Sequence, residues 1–126
     1  MGKEEEFEWD ETTMSGLTDV KQITQTKRKR PCVLKQTEGP GAPQGFVLGE
    51  ESMVMGRAKE ADIRIDSNEV SRRHLLFRKI GPEYSCLDLN SHNGVYLNGV
   101  KIHSAILKDG DTIQAGNVIL KYCEGA

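Results

Sequence analysis

A chain of 126 residues, of which 29% are charged and whose net charge is −2, supports one ordinary domain with a short extension. The near balance of charge excludes a polycation built to hold nucleic acid or an anionic membrane surface. No apolar run is long enough for a signal peptide or a spanning helix, which leaves a cytoplasmic protein as the expectation. Three cysteines, Cys32, Cys86 and Cys123, are odd in number and lack paired spacing, so they read as reduced, mostly buried residues rather than a disulfide framework or a zinc site.

Taken in order, residues 1–30 are polar and without periodicity. Six acids fall between Glu4 and Glu11, and Lys27, Arg28, Lys29 and Arg30 close the segment. Such a composition buries too little apolar surface to offset chain entropy, so a disordered tail is expected, with Phe7, Trp9, Met14, Leu17 and Ile23 scattered through it. The basic run reads as a solvated linker, because the opposite end of the same tail is acidic and the pair makes a poor nucleic-acid footprint.

From Pro31 onward, short apolar runs alternate with turn residues, defining a domain over 31–126. Cys32-Val33-Leu34, Phe46-Val47-Leu48, Met53-Val54-Met55 and Ile63-Arg64-Ile65 read as strands, with a Gly- and Pro-rich loop over 39–43. Residues 74–80 and 85–89 follow, reversed at Gly81-Pro82. Val95-Tyr96-Leu97 and 100–102 flank Asn98-Gly99, whose tolerance of positive φ suits a type I′ hairpin turn. Thr112-Ile113-Gln114 and 118–122, turning at Gly116-Asn117, complete the series. No window carries a sustained 3.6-residue apolar period, so the fold class is all-β, a sandwich or barrel.

Three polar pieces sit where strand-like runs end: Gly56-Arg57, Ser71-Arg72-Arg73-His74, and Asn93-Gly94 with Asn98-Gly99 behind it. Their guanidinium groups match phosphate oxygens bidentately, and a serine hydroxyl adds another donor, an inventory suited to a phosphate ester. In that order and spacing, the pieces resemble the forkhead-associated (FHA) domain family over roughly residues 31–124. The resemblance implies a β-sandwich of about eleven strands whose end loops bind phosphothreonine peptides, a known recognition mode. It implies no cofactor and no metal, in keeping with the absence of ligand spacing among His74, His92 and His103.

On that resemblance Arg57 clamps the phosphate, Ser71 donates its hydroxyl, and Arg72 adds backbone and guanidinium contacts. Arg73, next along an extended segment, points to the other side. Asn93 holds the main chain of the bound peptide. Several family members carry threonine or serine just before this asparagine as another phosphate ligand; here His92 stands there, with an imidazole N–H that can donate to a phosphate oxygen. Gly56, His74, Gly94, Asn98 and Gly99 support the site, Gly56 by letting the backbone turn without a side chain in the way. Ser71 and His74 invite a nucleophile-and-base reading, but no nucleophile-elbow motif is present, and the family assigns the histidine an architectural role. A binding domain, not an enzyme, is expected.

Phosphate adds about −1.5 to −2 charge, which makes binding a kinase-controlled switch in signal transduction. The expected partners are a Ser/Thr kinase and a phosphothreonine-containing protein, or the chain's own phosphorylated tail. The tail holds five threonines, with Thr12, Thr13, Thr24 and Thr26 the candidate phosphorylation sites. Glu11-Thr12-Thr13 resembles the paired-threonine motif ahead of the domain in a class of small bacterial FHA regulators, with Met14 where that motif has serine. The alternative expectation is a regulatory N-terminal domain of a larger signalling enzyme, such as a diguanylate cyclase.

Overall fold

The computed structural model describes residues 31–125; the tail 1–30, with Thr12, Thr13, Thr24 and Thr26, lies outside the described residues. Alternating burial explains why β1 (Cys32–Glu38) is a strand: Cys32, Leu34 and Gln36 point inward and are buried, while Lys35 and Thr37 face out. The same period places Val118, Leu120 and Tyr122 inward along β11 (Val118–Cys123), which pairs antiparallel with β1. Between them in sequence come β2 (Gln44–Leu48), β3 (Met53–Gly56), β4 (Ile63–Arg64), β5 (Leu75–Ile80), β6 (Glu83–Asp88), β7 (Val95–Leu97), β8 (Val100–Ile102), β9 (Ser104–Ile106) and β10 (Thr112–Ala115). Among the described residues these eleven strands are accompanied by no helix.

Two sheets pack face to face. One has the order β8-β7-β10-β11-β1-β2, the other β9-β6-β5-β3-β4. All pairings are antiparallel except β3 with β4, where Met55 lies opposite Ile63 and Gly56 opposite Arg64. The core between the sheets includes Leu34, Met55, Ile63, Leu75, Phe77, Ile113, Leu120 and Tyr122, each at most 1% exposed. Tyr84 and Tyr122 meet edge to face across it, their ring centres 6.3 Å apart. Cys32 and Cys86 are buried, Cys123 half-buried, and all three are free thiols. Burial, with a lesser push from Asp111, raises the Cys86 thiol from 9.0 to about 11.

The strand registers sort the loops to the two ends of the sandwich. The C-terminal end of β1, the end of β3, the starts of β5 and β7, and the turn joining β10 to β11 lie at one end, as the registers Glu38 with Ile119, Met55 with Leu75 and Val95 with Ala115 require. Cys32, where the tail joins, lies at the other end, beside Leu48. β9 has no counterpart among the strands expected from sequence. After β8 the chain crosses from the first sheet to the second, and Ser104–Ile106 pairs with Leu87, Cys86 and Ser85. Ser104 and Ile106 are exposed at a sheet edge, and the short apolar run Ala105-Ile106-Leu107 that marks the strand places only Leu107 in the core.

Candidate functional site

Gly56 ends β3, and its carbonyl accepts the Ile65 N–H at 2.9 Å. From there the backbone lies directly against the next loop: Arg57 N–H donates to Ser71 O and Ala58 N–H to Arg72 O, both at 3.0 Å. A Cβ on Gly56 would overlap the Arg72 carbonyl oxygen, so glycine is required here by close backbone approach and not by a turn. Of the two parts of the expected role, a turn and a backbone with no side chain in the way, it is the missing side chain that this contact uses, and Gly56 is not among the residues of positive φ.

His74, fully buried, ties three segments together. Its Nδ1 accepts the Ser71 backbone N–H at 3.1 Å, which fixes the proton on Nε2, and Nε2 then donates to Gly94 O at 2.8 Å. Its own backbone N–H donates to Met55 O, and its carbonyl accepts the Leu89 N–H. Both ring nitrogens are thus engaged with backbone, and neither is bonded to the Ser71 hydroxyl. The couple a serine hydrolase needs is not formed.

The Ser71 Oγ accepts the His92 backbone N–H at 2.9 Å, leaving its own proton free to donate outward. His92 therefore acts on Ser71 through its main chain, while its ring lies exposed. Asn93 Nδ2 donates to Glu69 O at 2.8 Å, which stitches the β6–β7 loop to the β4–β5 loop and leaves Oδ1 and the second N–H open. Gly94 has φ +77°, and its N–H donates to Ser91 Oγ. Asp88 Oδ1 accepts the Ser91 N–H, completing a loop held by its own side chains.

Arg57, half-buried, donates from Nε to Val70 O at 3.1 Å, the one side-chain hydrogen bond it makes among the described residues. Among the described residues the one ion pair joins Lys79 to Glu50 at the opposite end of β5, so Arg57, Arg72 and Arg73 have no carboxylate partner there. Arg72 and Arg73 are both exposed and line the same groove, contrary to the expectation that they diverge. The segment bends at 72–73 because Arg72 O and His74 N are each bonded back to the β3 side, so strand alternation does not apply.

Sequence reasoning missed a second layer. Ser67, 7% exposed, donates its hydroxyl to Asn117 Oδ1 at 2.7 Å and accepts the Glu69 N–H at 3.1 Å. Gly116, at φ +61°, sits so close to Glu69 O that a Cβ would overlap it. The β10–β11 turn thus fixes the carbonyl that holds Asn93, a dependence across 50 residues that no local motif signals. Asn98 and Gly99, at φ +50° and +85°, form their turn at the far end of β7 from Asn93. Asn98 accepts the Thr112 N–H and donates to Asp111, anchoring the hairpin rather than the site loops. No group of three or more His, Cys, Asp or Glu among the described residues is placed to hold a metal. No helix among the described residues is long and apolar enough to cross a membrane.

Fold and loops together define a β-sandwich module that presents unpaired cations and oriented hydrogen-bond donors from the loops at one end. The sequence pattern of the FHA domain matches residues 53–116, and the chain belongs to that family. It is 40% identical over 88 residues to the oxoglutarate dehydrogenase inhibitor of Corynebacterium jeikeium, covering 70% of this chain and 61% of that one. It is 39% identical over 87 residues to the glycogen accumulation regulator GarA of Mycolicibacterium smegmatis, covering 69% and 55%. The chain thus spans little more than half the length of these curated relatives, which are named as regulator and inhibitor, in accord with a binding domain rather than an enzyme.

Among solved structures, one from work on phosphothreonine-dependent FHA domain interactions superposes with TM-score 0.70 at 31% identity, covering 77% of this chain and 99% of that one. Mycobacterium tuberculosis EmbR in complex with a low-affinity phosphopeptide superposes with TM-score 0.70 at 29% identity, covering 76% and 25%.

Proposed function

We propose that the loops around Arg57, Ser71 and Asn93 bind a phosphothreonine side chain within a peptide, making this chain a cytoplasmic adaptor controlled by a Ser/Thr kinase. The observation that carries this is the Ser71 hydroxyl, its oxygen held by His92 N–H, beside an arginine anchored through Nε with its remaining donors unpaired. Arg57 and Arg72 supply charge, Ser71 an oriented proton, Asn93 contacts to the peptide main chain, and His92 the backbone N–H that orients Ser71. Pre-organised donors meet a dianion without first breaking an internal ion pair, so little reorganisation opposes binding.

The test is calorimetric titration of the full chain with a phosphothreonine peptide, its unphosphorylated twin, and Arg57→Ala. One lost charge-assisted contact is worth about 1.5–3 kcal/mol, so Arg57→Ala should weaken binding roughly ten- to 150-fold. Equal affinity for the two peptides, or an unaffected Arg57→Ala, refutes the reading.

The ligand can be a partner protein or the chain's own phosphorylated tail, and strand geometry sorts the threonines. The tail joins at Cys32, and β1 runs from there toward the site over seven residues, roughly 20 Å, with the opposing sheet about 10 Å further across. At no more than about 3.6 Å per residue, Thr26 and Thr24 reach about 22 and 29 Å from Cys32 along a straight path that the sandwich itself blocks. They suit a second molecule. Thr12 and Thr13, with roughly 70 Å of chain, suit either the same domain or another.

A further inference from the structure

The larger sheet is basic on its outer face. Its six strands hold three lysines, Lys35, Lys101 and Lys121, and a single carboxylate, Glu38, at the far end of β1. Lys35 on β1 and Lys121 on β11 are both exposed and stand directly opposite one another, a like-charge cross-strand pair that is unfavourable while nothing anionic covers it. Neither has a carboxylate partner among the described residues. The nearest acids along the chain are engaged elsewhere: Asp109 accepts the Glu124 N–H, Asp111 accepts the Lys108 N–H, and Glu124 accepts from the Tyr122 hydroxyl. The next row toward Cys32 is apolar. Cys123, Val33 and Val47 align across β11, β1 and β2, with Val47 60% exposed and Gly45 on the same strand offering no side chain to cover it.

From this we infer that the outer face of this sheet is a docking surface for residues 4–11 of the chain's own tail, which reach it in cis and without phosphorylation. Two complementarities single out that segment. It holds six acids between Glu4 and Glu11, against the lysine pair, and two large rings, Phe7 and Trp9, against the apolar row. A lysine ammonium also attracts the face of a tryptophan ring, so Trp9 suits both rows. The tether fits as well. About 20 residues separate Glu11 from Cys32, a coil of roughly 25 Å on average and at most about 75 Å, whereas the lysine pair lies about 10 Å along β1 from Cys32. Joined at that distance, the segment meets the face at an effective concentration in the millimolar range, so individually weak surface pairs suffice. The phosphate-facing loops at the other end of the sandwich take no part.

Trp9 is the single tryptophan of the chain, so its fluorescence reads the tail directly. In the unphosphorylated full chain its emission should be blue-shifted, and its quenching by acrylamide weaker, relative to a peptide of residues 4–11. Lys35→Glu with Lys121→Glu, and independently Val47→Asp, should return both readings to those of the peptide, while circular dichroism checks that the sheet persists. Reversing the tail instead, with Glu4→Lys, Glu5→Lys, Glu6→Lys and Glu8→Lys together, should abolish the shift in the wild-type domain and restore it in the Lys35→Glu, Lys121→Glu background. Wild-type emission equal to the peptide's overturns the proposal. So does a shift that survives the lysine reversals, as it would if the basic run 27–30 held the acids, or one that fades on dilution, which would make the occupant a second copy's tail.

Discussion

Gly56→Ala sets two opposed effects against each other, and the structure decides the sign. Where the backbone suits any residue, replacing glycine by alanine stabilises a fold by about 0.4–1 kcal/mol, because the unfolded chain loses freedom. Gly56 does not have positive φ, so on dihedrals alone the change should help. Yet the new methyl overlaps the Arg72 carbonyl, which is backbone and cannot swing aside. Relief requires β3 to part from the Ser71 loop, at the expense of Arg57 N–H to Ser71 O, Ala58 N–H to Arg72 O and His74 N–H to Met55 O. At about 1 kcal/mol each, three such bonds outweigh the entropic gain, and a net loss of about 2–3 kcal/mol is expected. Gly49 is the control: an added methyl there would meet nothing within 4 Å, and its φ is not positive, so Gly49→Ala should be neutral or stabilising. Urea denaturation of both variants measures this through the midpoint at unchanged slope. A Gly56→Ala protein as stable as wild type refutes the close-approach argument.

His74→Phe keeps the ring volume but leaves Ser71 N–H and Gly94 O without their partner, and should cost about 2–4 kcal/mol in the same denaturation experiment, with weaker phosphopeptide binding. A double-mutant cycle of Ser67→Ala and Asn117→Ala should show a coupling of about 0.5–1.5 kcal/mol, because each single change removes the same bond. The pH dependence has a fixed sign at the alkaline end. Cys86 is raised by burial from 9.0 to about 11, so it contributes stability that is whole below pH 9 and lost as pH rises toward 11, about 2–3 kcal/mol in all. Tyr122, also raised, mainly by burial and then by the Cys32 thiol it bonds, acts in the same direction at higher pH. Thermal melting from pH 8 to 11 should therefore fall more steeply for wild type than for Cys86→Ala, and equal slopes would remove this account.

Much of the architecture was legible in the sequence because an antiparallel sandwich writes a period of two into each strand. Apart from Gln36, the buried positions of β1 and β11, and Leu75 and Phe77 in β5, are apolar residues two apart along alternating runs. Asn98-Gly99 declared its turn through the positive φ that both residues adopt. β9 was not among the expected strands although Ala105-Ile106-Leu107 is apolar: its pairing with β6 is imposed by a chain crossing between sheets, which a three-residue run by itself does not signal.

At the end of the sandwich proposed to bind phosphopeptide, the sequence by itself determined which side chains are offered: Arg57, Ser71, Arg72 and Asn93 on strand-end loops, with His74 behind them. Their residue types suit the proposed phosphate ligand, since donor geometry and charge are properties of the side chain. Only the tertiary structure decided how they are held. The methyl-sized exclusion at Gly56, the Ser67–Asn117 bond that fixes Glu69 O, and the bend that turns Arg72 and Arg73 into one groove all join residues from separate strands. Such contacts depend on the register and spacing of the sheets, which no single stretch of sequence encodes.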